Sequence, residues 1–396
     1  MAPKPPHRTA LIGLSSTATT SWASLAHLPG LLSPHGQTLL PITALLNSSV
    51  SAARAAITTY NLPPTTKAYG TPATLAADPS IDLVICNTRV DKHITTIIDS
   101  VRAGKDVFVE WPVASTLEDI NVIVEAAGRS RSRVAVGLQR RWAPPVVKIR
   151  EVLREGVGGR RLGRVLSADV RAFGGTKDRE VLPEGLAYFA ERRVGGNPIV
   201  IGFAHAFDWV LSVLGDLNPS TVHTKLQLQR PSTRIRDPQT NEITRETTSN
   251  VPDLLSLHGA LLPSALTTAS STLSFLFRRG QPFPGTPALT FTINCEFGEL
   301  RVTSFPGLSL ETLPGEEPVK IEVHWFEDDK VEEVSWDDSE EEKNLPPVAR
   351  SVWRTLRAFA EGKEEGDGWV GLKDAARRAE MIESFLVGWE KETKGA

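Results

Sequence analysis

Between residues 9 and 142, short apolar runs alternate with stretches whose apolar residues recur at helical spacing, and this alternation restricts the fold more than any other feature of the sequence. Ala10-Leu11-Ile12, Ile42 to Leu46, Ile81 to Cys86, Val107-Phe108-Val109 and Val134-Ala135-Val136 read as strands. Strands apolar on nearly every residue are buried on both faces, which calls for a parallel sheet with crossover helices on either side. Two of those helices are legible, one from Ile94, Ile97, Ile98 and Val101, the other from Leu117, Ile120, Ile123, Val124 and Ala127. The expectation is a dinucleotide-binding α/β domain over residues 1–142, with ligands at the carboxyl edge of the strands.

After Pro144-Pro145 the pattern changes. A helix over Val147, Ile149, Val152 and Leu153 leads to a strand near Val165–Ala172, and a second helix carries Phe203, Phe207, Val210 and Leu214. Strict alternation follows at Val222 to Leu228, Leu273 to Phe277 and Leu289 to Ile293, the mark of a sheet with one polar face. Residues 143–396 are therefore expected to form an α/β domain on an open, mostly antiparallel sheet, whose Leu and Phe face would be covered in a homodimer. Residues 231–250 read as a long surface loop, and the acidic residues from Glu327 to Glu342 as a solvated face.

A formal net charge of -3 argues against direct binding to nucleic acid or an anionic membrane. Two cysteines, Cys86 and Cys295, make neither a disulfide framework nor a thiolate metal site, and the eight histidines lack ligand spacing, so no metal is expected. No apolar run reaches the length of a membrane span, and the expected location is the cytoplasm, with the nucleus left open.

The first strand runs into Gly13-Leu14-Ser15-Ser16-Thr17-Ala18. This is the place of the glycine-rich phosphate turn of a Rossmann domain, where backbone N–H groups meet a pyrophosphate. Of the usual glycines Gly13 remains, with Ser15, Ser16 and Thr17 offering hydroxyls. The second strand ends at Asn47-Ser48, without the acid that grips the ribose of NAD. Arg54 follows on the next helix, so NADP and NAD are both open. Asn87, Thr88 and His93 follow the strand ending at Cys86, Glu110 and Trp111 follow the next, and Gln139 closes the domain. These are the expected cofactor-side residues.

Asn87-Thr88-Arg89-Val90-Asp91-Lys92-His93, Glu110-Trp111-Pro112, Gly137-Leu138-Gln139-Arg140-Arg141 and Gly195-Gly196-Asn197 through His205 and Asp208 together resemble the glucose-fructose oxidoreductase and inositol dehydrogenase (Gfo/Idh/MocA) superfamily, over essentially the whole sequence. The resemblance implies NAD(P)-dependent oxidation or reduction of a sugar, polyol or secondary-metabolite alcohol or carbonyl. Two departures bear on that. Where the superfamily has a lysine after the glutamate, and an aspartate four residues before the histidine, this protein has Trp111 and Ile201, neither of which exchanges a proton. His205 remains as acid or base, and Lys177 and Tyr188 lie on a segment that reaches the active site in relatives. Phe108-Val109-Glu110-Trp111, Gly13-Leu14-Ser15-Ser16, Val251 to Leu255 and Phe203-Ala204-His205 resemble, more narrowly, the fungal galactose-regulon repressor-like subfamily. That resemblance implies the alternative, a non-catalytic dinucleotide-binding transcriptional regulator with a protein partner.

Overall fold

A computed structural model of the protein describes residues 6–15, 17 and 21–394. The protein divides into two units, the first of Met1–Trp142, Arg193–Gly196 and Ser339–Met381, the second of Ala143–Arg192, Asn197–Asp338 and Ile382–Ala396.

The first unit is built on strands β1 (Thr9–Ile12), β2 (Ile42–Leu46), β3 (Lys67–Tyr69), β4 (Leu83–Cys86), β5 (Asp106–Glu110) and β6 (Val134–Gly137). With the two-residue strand Val370–Gly371, β18 in sequence order, the sheet order is β18-β6-β5-β4-β1-β2-β3. The pairs among β1–β6 are parallel, with Leu11 opposite Leu45 on one side and Ile85 on the other. Every residue of β1, β4 and β6 is buried, as the continuous apolar runs require. Crossover helices start on hydroxyl caps. Ser49 accepts from the Ala52 N–H at the head of Val50–Thr59, and Thr116 accepts from the Asp119 N–H at the head of Leu117–Arg129.

The boundary at 142/143 coincides with a unit boundary, but the second domain does not run unbroken to 396. The helix Pro347–Ala360 gives Ala349, Val352, Trp353, Leu356 and Phe359 to the same core as Leu11, Leu45 and Phe108. The preceding acidic stretch is correspondingly not a solvated face throughout. Glu342 is buried, paired with Arg354 at 2.6 Å, while Glu341 accepts from Trp353 Nε1 at 2.9 Å and pairs with His35 and Arg357. Charge pattern along the sequence is blind to basic partners supplied by the following helix and by a segment 306 positions away.

The second unit contains β7 (Val165–Gly174), β8 (Val181–Pro183), β9 (His223–Gln227), β10 (Ser232–Arg236), β11 (Ile243–Thr248), β12 (Leu254–Ala260), β13 (Thr267–Arg279), β14 (Leu289–Cys295), β15 (Gly298–Ser304), β16 (Lys320–Trp325) and β17 (Lys330–Glu333). Eight of them form an open sheet in the order β17-β16-β15-β14-β7-β13-β12-β9, antiparallel except where β7 meets β13. Phe275 and Phe277 of β13 and Phe291 of β14 are buried against Phe203, Phe207 and Trp209 of the unit's own helical segment. The Leu and Phe face therefore needs no second copy to cover it, and the expectation of a dimer loses its physical basis. The opposite face carries Ser274, Thr290, Thr292 and the Arg301–Glu322 pair.

Residues 231–250 are not a loop. They form the β10–β11 hairpin, which with β8 makes a three-stranded sheet, because Thr233 and Ile235 alternate inward and Ile235 packs on Leu182 and Phe189. Among the described residues no helix is long and apolar enough to cross a membrane.

Candidate functional site

In the first unit the carboxyl ends of β1, β2 and β4 open onto a cavity of about 940 Å³. Gly13, Ser15, Thr17, Asn47, Ser48 and Thr88 line it, six of the expected cofactor-side residues. Ser16 lies outside the described residues. Gly13 has φ +89°, and a Cβ there would sit 3.1 Å from the backbone carbonyl of Asn87, so the turn after β1 lies too close to the end of β4 for a side chain. Tyr60 Oη donates to the Ser15 carbonyl at 2.8 Å, and the Thr17 N–H donates to Ser15 Oγ at 3.1 Å, which closes the turn on itself.

Asn47 lines the cavity with its amide nitrogen already committed to the carbonyls of Leu14, at 2.8 Å, and Ala52, at 3.4 Å. Asn47 thereby ties the turn after β1 to the next helix. Arg54 is exposed and does not line the cavity; the lining positions of its helix are Ser51, Ala52 and Ala55. The cation at the wall is Lys92, with Thr95 and Thr96 one turn further on. These three were not expected from the sequence, although their spacing of three and four residues puts them on one helical face. Neither polar atom of the Asn87 side chain has a partner among the described residues, though both are buried. A buried amide lacking both donor and acceptor partners is costly, and Asn87 stands next to the cavity-lining Thr88 without lining the cavity itself.

His93 is buried. Its Nε2 lies 2.8 Å from the Thr88 carbonyl and its Nδ1 2.9 Å from that of Pro112, so the ring ties the loop after β4 to the turn after β5. Burial holds its pKa below the ordinary 6.5, outweighing the pull of the carbonyls and of Glu110. The unfolded protein then takes up this proton at a higher pH than the folded one, so His93 contributes stability above 6.5 that is lost as pH falls. Urea unfolding at about pH 7.5 and about pH 5.5 should show a smaller acid loss in His93→Gln than in the wild type; equal losses would contradict this assignment.

Glu110 ends β5 and is also buried. Its Oε1 accepts from His27 Nε2 at 2.6 Å, and a Cβ on Gly137 would meet its Oε2 at 2.6 Å. His27 closes a π-helical turn, Ala23–His27, a local widening of the kind that recurs at functional sites. The partnership of residues 27 and 110 was not legible in the sequence. Trp111, where the resemblance implies a lysine, is 4% exposed. Gln139 is buried, and its Oε1 has no partner among the described residues. The Cys86 thiol is pushed up by burial and is therefore not a nucleophile at neutral pH.

In the second unit a second π-helical turn, Ile199–Phe203, leads into the helix Ala204–Leu214. Asn197 Oδ1 caps it by accepting from the N–H groups of Ile199 and Val200, each at 3.0 Å. His205 stands in the first turn of that helix, 8% exposed. Ile201 and Tyr188 pack together on the cluster of Leu182, Phe189 and Ile235, so the position of the superfamily's aspartate is part of an apolar contact. Lys177 is exposed on the turn after β7, whereas His205 is buried.

Residues 7–138 match the oxidoreductase family with an NAD-binding Rossmann fold, and residues 144–304 match the Gal80p C-terminal domain. The dehydrogenase aclE of Aspergillus oryzae is 29% identical over 314 residues, 78% of this sequence and 79% of that protein. The galactose/lactose metabolism regulatory protein GAL80 of Saccharomyces cerevisiae is 24% identical over 311 residues, 77% of this sequence and 68% of that one. A crystal structure of a super-repressor mutant of Gal80p from the same yeast superposes with a TM-score of 0.82 at 20% identity, covering 98% of this protein and 96% of that one. The likeness to the oxidoreductase family is carried by residues 7–138, and that to the Gal80p C-terminal domain by residues 144–304. The proteins it is similar to include both a dehydrogenase and a regulator.

Proposed function

We propose that the protein is a nicotinamide-dinucleotide-dependent oxidoreductase acting on a sugar, polyol or secondary-metabolite alcohol or carbonyl. The observation that carries the dinucleotide part is the unpartnered Asn87 amide beside Gly13 and the cavity at the carboxyl edge of the parallel sheet. The residues present fit the cofactor: Gly13 leaves the turn open to a pyrophosphate, Asn87 and Thr88 offer polar groups, and Glu110 is fixed by His27. A bound nicotinamide supplies the hydride donor or acceptor. His205 is the group assigned to the hydroxyl proton, with Tyr188 and Lys177 as the alternatives that replace it if it fails.

The absence of an acid at Asn47-Ser48, with Lys92 at the cavity wall, leaves room for a 2'-phosphate, so NADP is expected to bind at least as well as NAD. Calorimetric titration with the oxidised and reduced forms of both dinucleotides tests this. Binding by none of the four would remove the basis of the reading, and a strong preference for NAD would remove the 2'-phosphate argument. A second reading, a dinucleotide-binding regulator in the cytoplasm or nucleus that engages a protein partner, is favoured by one observation. Trp111 and Ile201 replace the two proton-handling side chains with buried or apolar ones.

A further inference from the structure

Arginines gather at the end of β13. Arg179 and Arg278 each donate an Nη2 hydrogen bond to the same carbonyl oxygen, that of Gln281, at 2.9 and 2.7 Å. Two guanidinium ends sharing one acceptor repel each other unless something negative lies between them. Gly280, with φ +85°, lets the backbone lie on Arg179; a Cβ there would meet Arg179 Cγ at 2.4 Å. Arg279 is buried, with Nε donating to Thr176 Oγ1 at 3.2 Å.

Among the described residues no carboxylate oxygen lies within the 4.0 Å ion-pair distance of the Arg179, Arg278 or Arg279 guanidinium. The nearby acids Asp253 and Asp178 act on Arg279 through space but lie beyond ion-pair distance of it. Asp253 accepts from the N–H groups of Gln229 and Arg230, and Asp178 from those of Glu180 and Val181. Glu180 lies nearest Arg230 and Arg234. Arg179 Nε and Arg279 Nη2 are buried donors with no acceptor among the described residues. Burial, and the adjacent Arg179 and Arg230, hold the Arg278 guanidinium below its ordinary pKa. Two partly exposed arginines beside a buried one, with orphaned donors between them, suit an acceptor that carries charge.

We infer that Arg179, Arg278 and Arg279 form a binding site for a small anionic group, a carboxylate or a phosphate. The site adjoins the His205 segment within the same unit. Thr176 follows Gly175, which lies against Gly202 and Pro198 of the π-helical turn that leads to His205. On the oxidoreductase reading, on which this step alone rests, the substrate is therefore an alcohol or carbonyl compound bearing a negative group.

Inorganic phosphate and malonate are the probes. The thermal midpoint of the full-length protein is measured with each, against sodium chloride of equal ionic strength, with dinucleotide present so that its own phosphate turn is filled. The wild type should be stabilised by at least one of the two anions beyond the chloride control, and the better one identifies the group. Arg278→Gln and Arg179→Gln, at partly exposed positions and each checked for folding by its thermal midpoint without anion, should weaken that anion about tenfold or more while leaving dinucleotide affinity unchanged. No stabilisation beyond chloride, or equal stabilisation in both variants, would overturn the site. Anion binding without turnover on any substrate would leave the site standing and remove the oxidoreductase reading instead.

Discussion

Replacing Gly13 by alanine is expected to weaken dinucleotide binding about 5- to 150-fold, the equivalent of about 1–3 kcal/mol for holding a residue with a Cβ in a strained backbone region. The cost has two sources. At φ +89° an L-residue is strained, and its Cβ would lie 3.1 Å from the Asn87 backbone and 3.2 Å from Thr88 N. Since neither neighbour is the flexible end of a side chain, the turn itself must move, and with it the N–H groups that face the pyrophosphate. Valine should do more, because a β-branched residue tolerates this conformation less well. Thermal unfolding measured beside the calorimetric titration separates a lost site from a lost fold. An alanine variant that folds and binds as the wild type does would show that the crevice lined by Gly13 is not where the phosphates go.

Replacing His205 by alanine is expected to lower turnover about 10²- to 10⁴-fold, the usual contribution of a general acid or base, with dinucleotide affinity nearly unchanged. The two positions at which the resemblance implies proton-handling side chains are closed to that work here. Trp111 is buried and aromatic, and Ile201 packs with Tyr188 on an apolar cluster. That leaves His205, at the start of a helix preceded by a π-helical turn that Asn197 holds in place. If His205→Ala turns over as the wild type does, the proton passes through Tyr188, Lys177 or water, and the same measurement on Tyr188→Phe and Lys177→Ala decides among them.

The parallel sheet was legible because burial on both faces leaves a plain record, and β1, β4 and β6 are apolar or small almost throughout. So was a tight turn after β1, where Gly13 takes a positive φ. What escaped depends on partners distant in the sequence. Asp337 to Glu342 read as a solvated acidic stretch because Arg354, Arg357 and His35, which pair with Glu341 and Glu342, cannot be assigned to it from one sequence. The β10–β11 hairpin was hidden because only Thr233 and Ile235 turn inward, among residues of turn-like composition. Arg54 looked like a ribose-phosphate ligand from its distance along the sequence, but helical phase puts Ser51, Ala52 and Ala55 at the cavity and leaves Arg54 exposed. His27 is the reverse case. Nothing in its local sequence marks it, and only the fold brings it within 2.6 Å of Glu110.

The central claim is that the protein turns over a substrate and does not merely hold a dinucleotide. The direct test is a spectrophotometric screen, read at the reduced nicotinamide absorbance, of sugars, polyols, ketones and their carboxylated or phosphorylated forms, with NADP(H) and NAD(H) at concentrations shown by calorimetry to saturate. Dinucleotide reduction or oxidation with at least one compound, strongly reduced in His205→Ala, is the predicted result. Saturated dinucleotide with no turnover across the panel would contradict the account and leave the regulator reading in its place.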